Sequence, residues 1–209
     1  MLKQALTIAI ITTSLNTVTH AAGIPVIDVG SIVQAKLNID ESKKRLNELK
    51  SQVKAQTGNA GLGKLVADQT VKANLNKYMS SSDINNAVKT GNVGALQTMY
   101  DKVKADEANF EGKGKERLAA TLLVNQAQIN GLLATIDTRN AKIESIMQQI
   151  DATTDLASKA DLANALAAEQ ALVNAEMNRM QVLMKQGDLN AQAAERQASV
   201  DVLNRIRGR

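Results

Sequence analysis

Cysteine and tryptophan are absent from this 209-residue chain, and proline and histidine occur once each. Each absence removes a class of structure or chemistry. Without cysteine there is no disulfide, no thiolate nucleophile and no soft metal ligand, so the fold has to rest on buried apolar surface. A hydrophobic content of 44% is enough for that. The single imidazole, His20, lies in a segment read below as removed, which leaves no common general base or zinc ligand. No catalytic residue, metal ligand set or cofactor site suggests itself among the remaining carboxylates, lysines and tyrosines, and none is assigned. Aromatics are reduced to Tyr78, Tyr100 and Phe110. Nucleic-acid surfaces cluster Lys and Arg and interleave aromatics for stacking. Here the net charge is only +4, and Lys36, Lys43, Lys44, Arg45, Lys50 and Lys54 are mixed with Asp40, Glu41 and Glu48. Those are solvated helix faces, and no direct nucleic-acid binding is expected. The one concentrated basic spot, Arg205-Ile-Arg207-Gly-Arg209, reads as a helix end whose cations suit the helix dipole.

What is present begins with a leader. Lys3 precedes the apolar run from Ala5 to Leu15, and Thr19-His20-Ala21-Ala22 follows. This is the three-region layout of a secretory signal, with small residues at Thr19 and Ala21. Its apolar part is roughly eleven residues, short of the about 20 that cross a bilayer. Residues 1–21 are therefore expected to be a signal peptide, cleaved after Ala21, and the mature chain is expected to lack a transmembrane segment.

After residue 30 the periodicity is helical. Ser31-Ile-Val-Gln34 has capping-box spacing, and Ile32, Ile39, Leu46 and Val53 recur every seven residues with Leu49 beside them. That predicts a helix over about 31–56. Leu122, Ile129, Ile136, Ile143 and Ile150 repeat in the same way and predict a second over about 115–150. After Asp151-Ala-Thr-Thr-Asp155, the positions Leu162, Leu166, Val173, Met177, Met180 and Met184 mark a third, which Gly187-Asp188 is expected to end or kink before residues 191–206 resume. Three such stripes can hide one another. The fold class expected is all-α, an elongated, coiled-coil-like three-helix bundle built from residues 31–56 and 115–209, preceded by an extended segment at 22–30. Residues 57–114 carry seven of the 12 glycines and all three aromatics. They read as an inserted lobe of short helices, punctuated at Ser80–Ser82, Gly91–Gly94 and 111–114.

Three motifs tempt and fail. Gly58-Asn-Ala-Gly-Leu-Gly63-Lys64 follows a phosphate-binding loop for seven positions, but Leu65 stands where Ser or Thr must hold magnesium, and a helix instead of a strand precedes it. A helix-ending loop is the better reading. The aspartates at 151–155, and Asp101 with Asp106 and Glu107, lack the ligand spacing of a calcium loop. Met177, Met180 and Met184 sit at helical spacing and read as core.

The expected mature N-terminus, Ala22-Gly-Ile-Pro-Val-Ile-Asp28, resembles the opening of the minor pilins of type IV secretion systems, the pilus-tip subunits of conjugation and effector-transfer machines. Gln149-Ile-Asp-Ala-Thr-Thr-Asp155 and Glu169-Gln-Ala-Leu-Val-Asn-Ala-Glu176 are similar to that family's last inter-helix turn and final helix. The resemblance spans roughly residues 22–205 and agrees with a three-helix bundle carrying an inserted lobe. It implies a non-enzymatic subunit, exported to the periplasm of a Gram-negative bacterium and onward to the pilus or cell surface. The partners it implies are the major pilin, other envelope subunits and a target-cell receptor. Gly23, Ile24, Pro25, Val26 and Asp28 map onto the family's opening. They make up either a contact segment for a neighbouring subunit or a leader that merely follows the cleavage site. Tyr78 and Tyr100 are the lobe's candidate contact residues, with packing inside the lobe as the alternative. A periplasmic coiled-coil adaptor or chaperone is the competing function.

Overall fold

The computed structural model describes residues 29–59, 62–109 and 114–208. The expected signal peptide, the segment holding Gly23, Ile24, Pro25, Val26 and Asp28, and Phe110 lie outside the described residues. Within them the chain is all-α, with no strand. The element order is α1 (Val29–Asn59), α2 (Leu62–Ala67), α3 (Gln69–Leu75), α4 (Ser81–Thr90), α5 (Val93–Asp106) with a 3-10 turn at Glu107–Asn109, α6 (Lys115–Ala152) and α7 (Leu156–Ile206).

The heptads do what their spacing dictates. Ile39, Leu46, Leu49 and Val53 of α1 join Ile129, Ile136, Ile143, Ile146 and Ile150 of α6 and Leu166, Val173, Met177, Met180 and Met184 of α7 in one buried cluster. The methionine stripe is core. The α6–α7 turn is short: Thr153 ends α6, and Asp155 accepts hydrogen bonds from the backbone N–H of Ser158 at 2.8 Å and from its hydroxyl at 2.6 Å. That aspartate is an N-terminal cap, and these bonds hold its carboxyl below the usual range, the Ser158 hydroxyl contributing most.

Three boundaries differ from expectation. First, α1 is already helical at Val29, so Ser31 and Gln34 lie inside it and Ser31 does not stand at the helix boundary that a capping box requires. A cap is worth about 1 kcal/mol, too little to stop a helix whose next turn has apolar surface to bury. Second, α1 runs through Gly58 to Asn59 and α2 starts at Leu62, so most of the expected helix-ending loop is itself helical. Third, α7 passes through Gly187 and Asp188 unbroken. One helical glycine costs only about 1 kcal/mol against alanine, and the Ala-, Gln- and Leu-rich flanks offset it.

The short helices form a second buried cluster. Val71 and Leu75 of α3, Ile84 and Ala87 of α4, and Leu96, Met99 and Val103 of α5 close against Ala119, Ala120, Leu123, Val124 and Ala127 of α6. The first turns of α6 thus belong to the core of these helices and its later turns to the three-helix seam. Caps space the short helices: Asp68 accepts from the Thr70 and Val71 N–H groups, Ser80 from Asp83, and Asn92 from Ala95. Gly91 ends α4 at a φ of 71°, a left-handed conformation suited to glycine. It rests directly on the α6 backbone, where a Cβ would come within 2.8 Å of the Gly131 Cα. Asn130 beside it donates to the Val88 carbonyl at 2.7 Å and fixes the crossing.

Candidate interaction surfaces

Charge placement sets the register of the bundle. Lys36, Lys43 and Lys50, seven residues apart on α1, meet Asp151, Glu144 and Asp137, seven residues apart in reverse order on α6, at 3.1, 2.6 and 2.7 Å. All six side chains are 38–62% exposed. Pairs of that exposure are each worth about 0–1 kcal/mol, so they act by selecting one antiparallel alignment. These lysines read from the sequence as solvated faces. The matching seven-residue spacing of the two sets was the available signal.

Between α6 and α7 the pairing is tighter. Arg139 reaches Glu169 at 2.8 Å and Glu176 at 2.9 Å, and Lys142 reaches Glu169 at 2.6 Å. The Glu169 side chain is 9% exposed. Lys142 first, then Arg139, holds its carboxyl below the ordinary range. A carboxylate fixed ionised by two cations is a structural tie, with no proton to supply near neutral pH. On the far side, the Gln170 amide donates to the Ala35 carbonyl at 3.0 Å and joins α7 to α1. A polar cleft of about 210 Å³ lies beside it, lined by Asn38, Glu41, Ser42, Arg45, Gln170 and Asn174. Arg45 and Glu41 pair with each other at 2.5 Å, which leaves the cleft without an uncommitted charge.

At the short helices, Tyr78 and Tyr100 are half-buried against the second cluster. The Tyr78 hydroxyl donates to Asp106, which Asn109 also contacts at 2.8 Å. That bond pushes the Tyr78 pKa up to about 12 and lowers that of Asp106. Tyr78 therefore ties the α3–α4 turn to the end of α5. A buried carboxylate missed by periodicity, Glu116, accepts from the Asn74 amide at 2.8 Å and links α3 to the first turn of α6. No group of three or more His, Asp or Glu residues able to hold a metal ion occurs among the described residues. Neither does a helix long and apolar enough to cross a membrane.

The charge pairs and polar ties described above hold the helices in register. The family described as type IV secretion system proteins matches residues 23–199. The chain belongs to that family. It is also 26% identical, over 211 residues, to the type IV secretion system protein virB5 of Brucella abortus (strain 2308), an alignment covering 91% of this chain and 89% of that protein. No solved structure matches the secretion protein described here.

Proposed function

We propose that this secretion-system protein is a minor pilus subunit, exported from a Gram-negative cytoplasm, which acts without catalysis in pilus assembly and target-cell contact. The observation that carries this reading is the reach of the family match. It begins at Gly23, next to the cleavage site expected after Ala21, and continues through α1, the short helices, α6 and most of α7. A match confined to the bundle would support a generic coiled coil only.

Two contact regions follow from this reading. Gly23, Ile24, Pro25, Val26 and Asp28 are proposed to engage a neighbouring subunit of the assembly, while the major pilin and other envelope subunits are the protein's proposed partners. Tyr78 and Tyr100 border the short-helix face proposed to meet a target-cell receptor, because surfaces on helices mounted against a rigid scaffold can vary without disturbing its seams. Tyr100→Ala tests the second region in a strain lacking the chromosomal gene. The expected result is reduced transfer with pilus number and α-helical content preserved. Normal transfer by Tyr100→Ala and by Tyr78→Ala would remove that face from target contact. Loss of pili along with transfer would assign it to assembly.

A further inference from the structure

Among the described residues, the last third of α7 carries apolar side chains that its own bundle leaves exposed. Among the described residues, the last buried position on this helix is Met184. Leu189, Val200, Leu203 and Ile206 beyond it are 56, 47, 50 and 77% exposed. They also change sides. The buried row Leu166–Val173–Met180 continues by sevens to Gly187 and Asp201, whereas Leu189 and Leu203 each fall two residues later, about 200° round the helix at 100° per residue. From Leu189 to Ile206 the face runs about 26 Å at 1.5 Å per residue.

Apart from the leader expected to be removed, the chain contains an apolar segment outside the described helices, Gly23-Ile-Pro-Val-Ile27. Its length suits that face, since five or six extended residues span about 17–20 Å. The charges suit it too: between Lys3 and Lys36 the only charged residue is Asp28, and the face is bordered by Arg196 and Arg207. The segment cannot reach the face of its own molecule. The Lys43–Glu144 and Lys142–Glu169 contacts, with the Gln170–Ala35 bond, place the first third of α7 level with the first half of α1. Val29 and Leu189 then lie at opposite ends, about 40 Å or more apart along the axis at 1.5 Å per residue. Ile24, five residues ahead of Val29, spans at most about 17 Å.

We infer that residues 23–27 of one copy dock on the exposed Leu189–Ile206 face of a second copy, joining subunits head to tail. The contact is heterologous, so it leaves one donor and one acceptor unfilled at the ends of every open chain. It deepens the assembly role proposed above and rests on that reading for its biological purpose. Its geometry is tested separately on purified protein.

The natural absence of cysteine makes the test direct. Ile24→Cys and Leu203→Cys variants, each expressed as the full chain, are purified, mixed and mildly oxidised. A disulfide-linked species of doubled mass should form in the mixture and not with either variant alone, and the double variant should give a ladder of multimers. Adding Val200→Asp to the acceptor should abolish the cross-link while circular dichroism shows unchanged helicity. Dimers from Leu203→Cys alone would mean that the face pairs with its own copy, and a cross-linked monomer from the double variant would mean closure within one chain. Either result, or no cross-link, overturns the inference. If that occurs while the chain is still found on sheared pili, the subunit reading stands and only the docking mode falls.

Discussion

Three glycines on or near α6 and α7 should respond to the same substitution in different directions, because their surroundings differ. At Gly91 an alanine meets two penalties. The left-handed φ of 71° costs a Cβ-bearing residue about 1–2 kcal/mol. The Cβ would also sit 2.8 Å from the Gly131 Cα, 2.9 Å from its nitrogen and 3.2 Å from the Ala127 carbonyl oxygen. All three are helix backbone and cannot swing aside as a flexible side chain would. Forcing α4 away from α6 carries an overpacking cost of about 1–3 kcal/mol. Gly91→Ala is therefore expected to destabilise by about 2–5 kcal/mol in total. At Gly131 the partner contact is the same, but a Cβ points past it, 3.8 Å from the Gly91 oxygen, an ordinary contact. Gly131→Ala should stabilise α6 by about 0.5–1 kcal/mol through helix propensity. Gly187→Ala, with nothing within 4 Å of the new Cβ, should do the same for α7. Urea unfolding followed by circular dichroism measures all three as shifts in midpoint at unchanged slope. A Gly91→Ala protein as stable as the parent, or a Gly131→Ala protein as damaged as Gly91→Ala, would refute the description of the α4–α6 crossing.

Ile136→Asp should cost about 3–5 kcal/mol, since the site is fully buried in the three-helix seam, and thermal melting would register it. In a spectrophotometric titration of the two tyrosines, Tyr78 should resist ionisation until about pH 12. A raised phenol pKa means that its share of stability is whole below pH 10 and is lost as pH climbs through about 12. Tyr78→Phe should remove that late transition and return the Asp106 carboxyl toward its ordinary range. For Glu169 the sign is opposite: its lowered carboxyl pKa contributes stability above the ordinary carboxylate range that is lost as pH falls through the folded value. Urea midpoints should fall on acidification, and Glu169→Gln should weaken the protein at neutral pH and flatten that dependence.

The seam was legible in the sequence because seven-residue apolar spacing has one structural outcome at this length. Ile39, Leu46, Ile136, Ile143, Leu166 and Val173 all became core for that reason. Helix ends were less legible. A capping box at Ser31 and a glycine at Gly187 are effects of about 1 kcal/mol, and tertiary packing over many turns outweighs them. The sharing of α6 was hidden because Ala119, Ala120 and Ala127 carry little periodic signal, although each is fully buried. Excising residues 58–113 would bare Leu123 and Val124, so a soluble bundle without the short helices needs those two made polar. Among the candidate contact residues, Tyr78 was visible as a rare aromatic, but its tie to Asp106 depends on a contact 28 residues away that no local pattern encodes.

The most direct test of the pilus-subunit claim is the composition of material sheared from the cell surface. Pili detached from cells that express the secretion system are separated from periplasmic and cytoplasmic fractions, and the chain is identified by antibody and N-terminal sequencing. The account predicts this protein in the sheared fraction, beginning at Ala22 and far less abundant than the major pilin. Consistent confinement to the periplasm would contradict the pilus assignment and favour the coiled-coil adaptor, and a chain beginning at Met1 would contradict export through a cleaved signal.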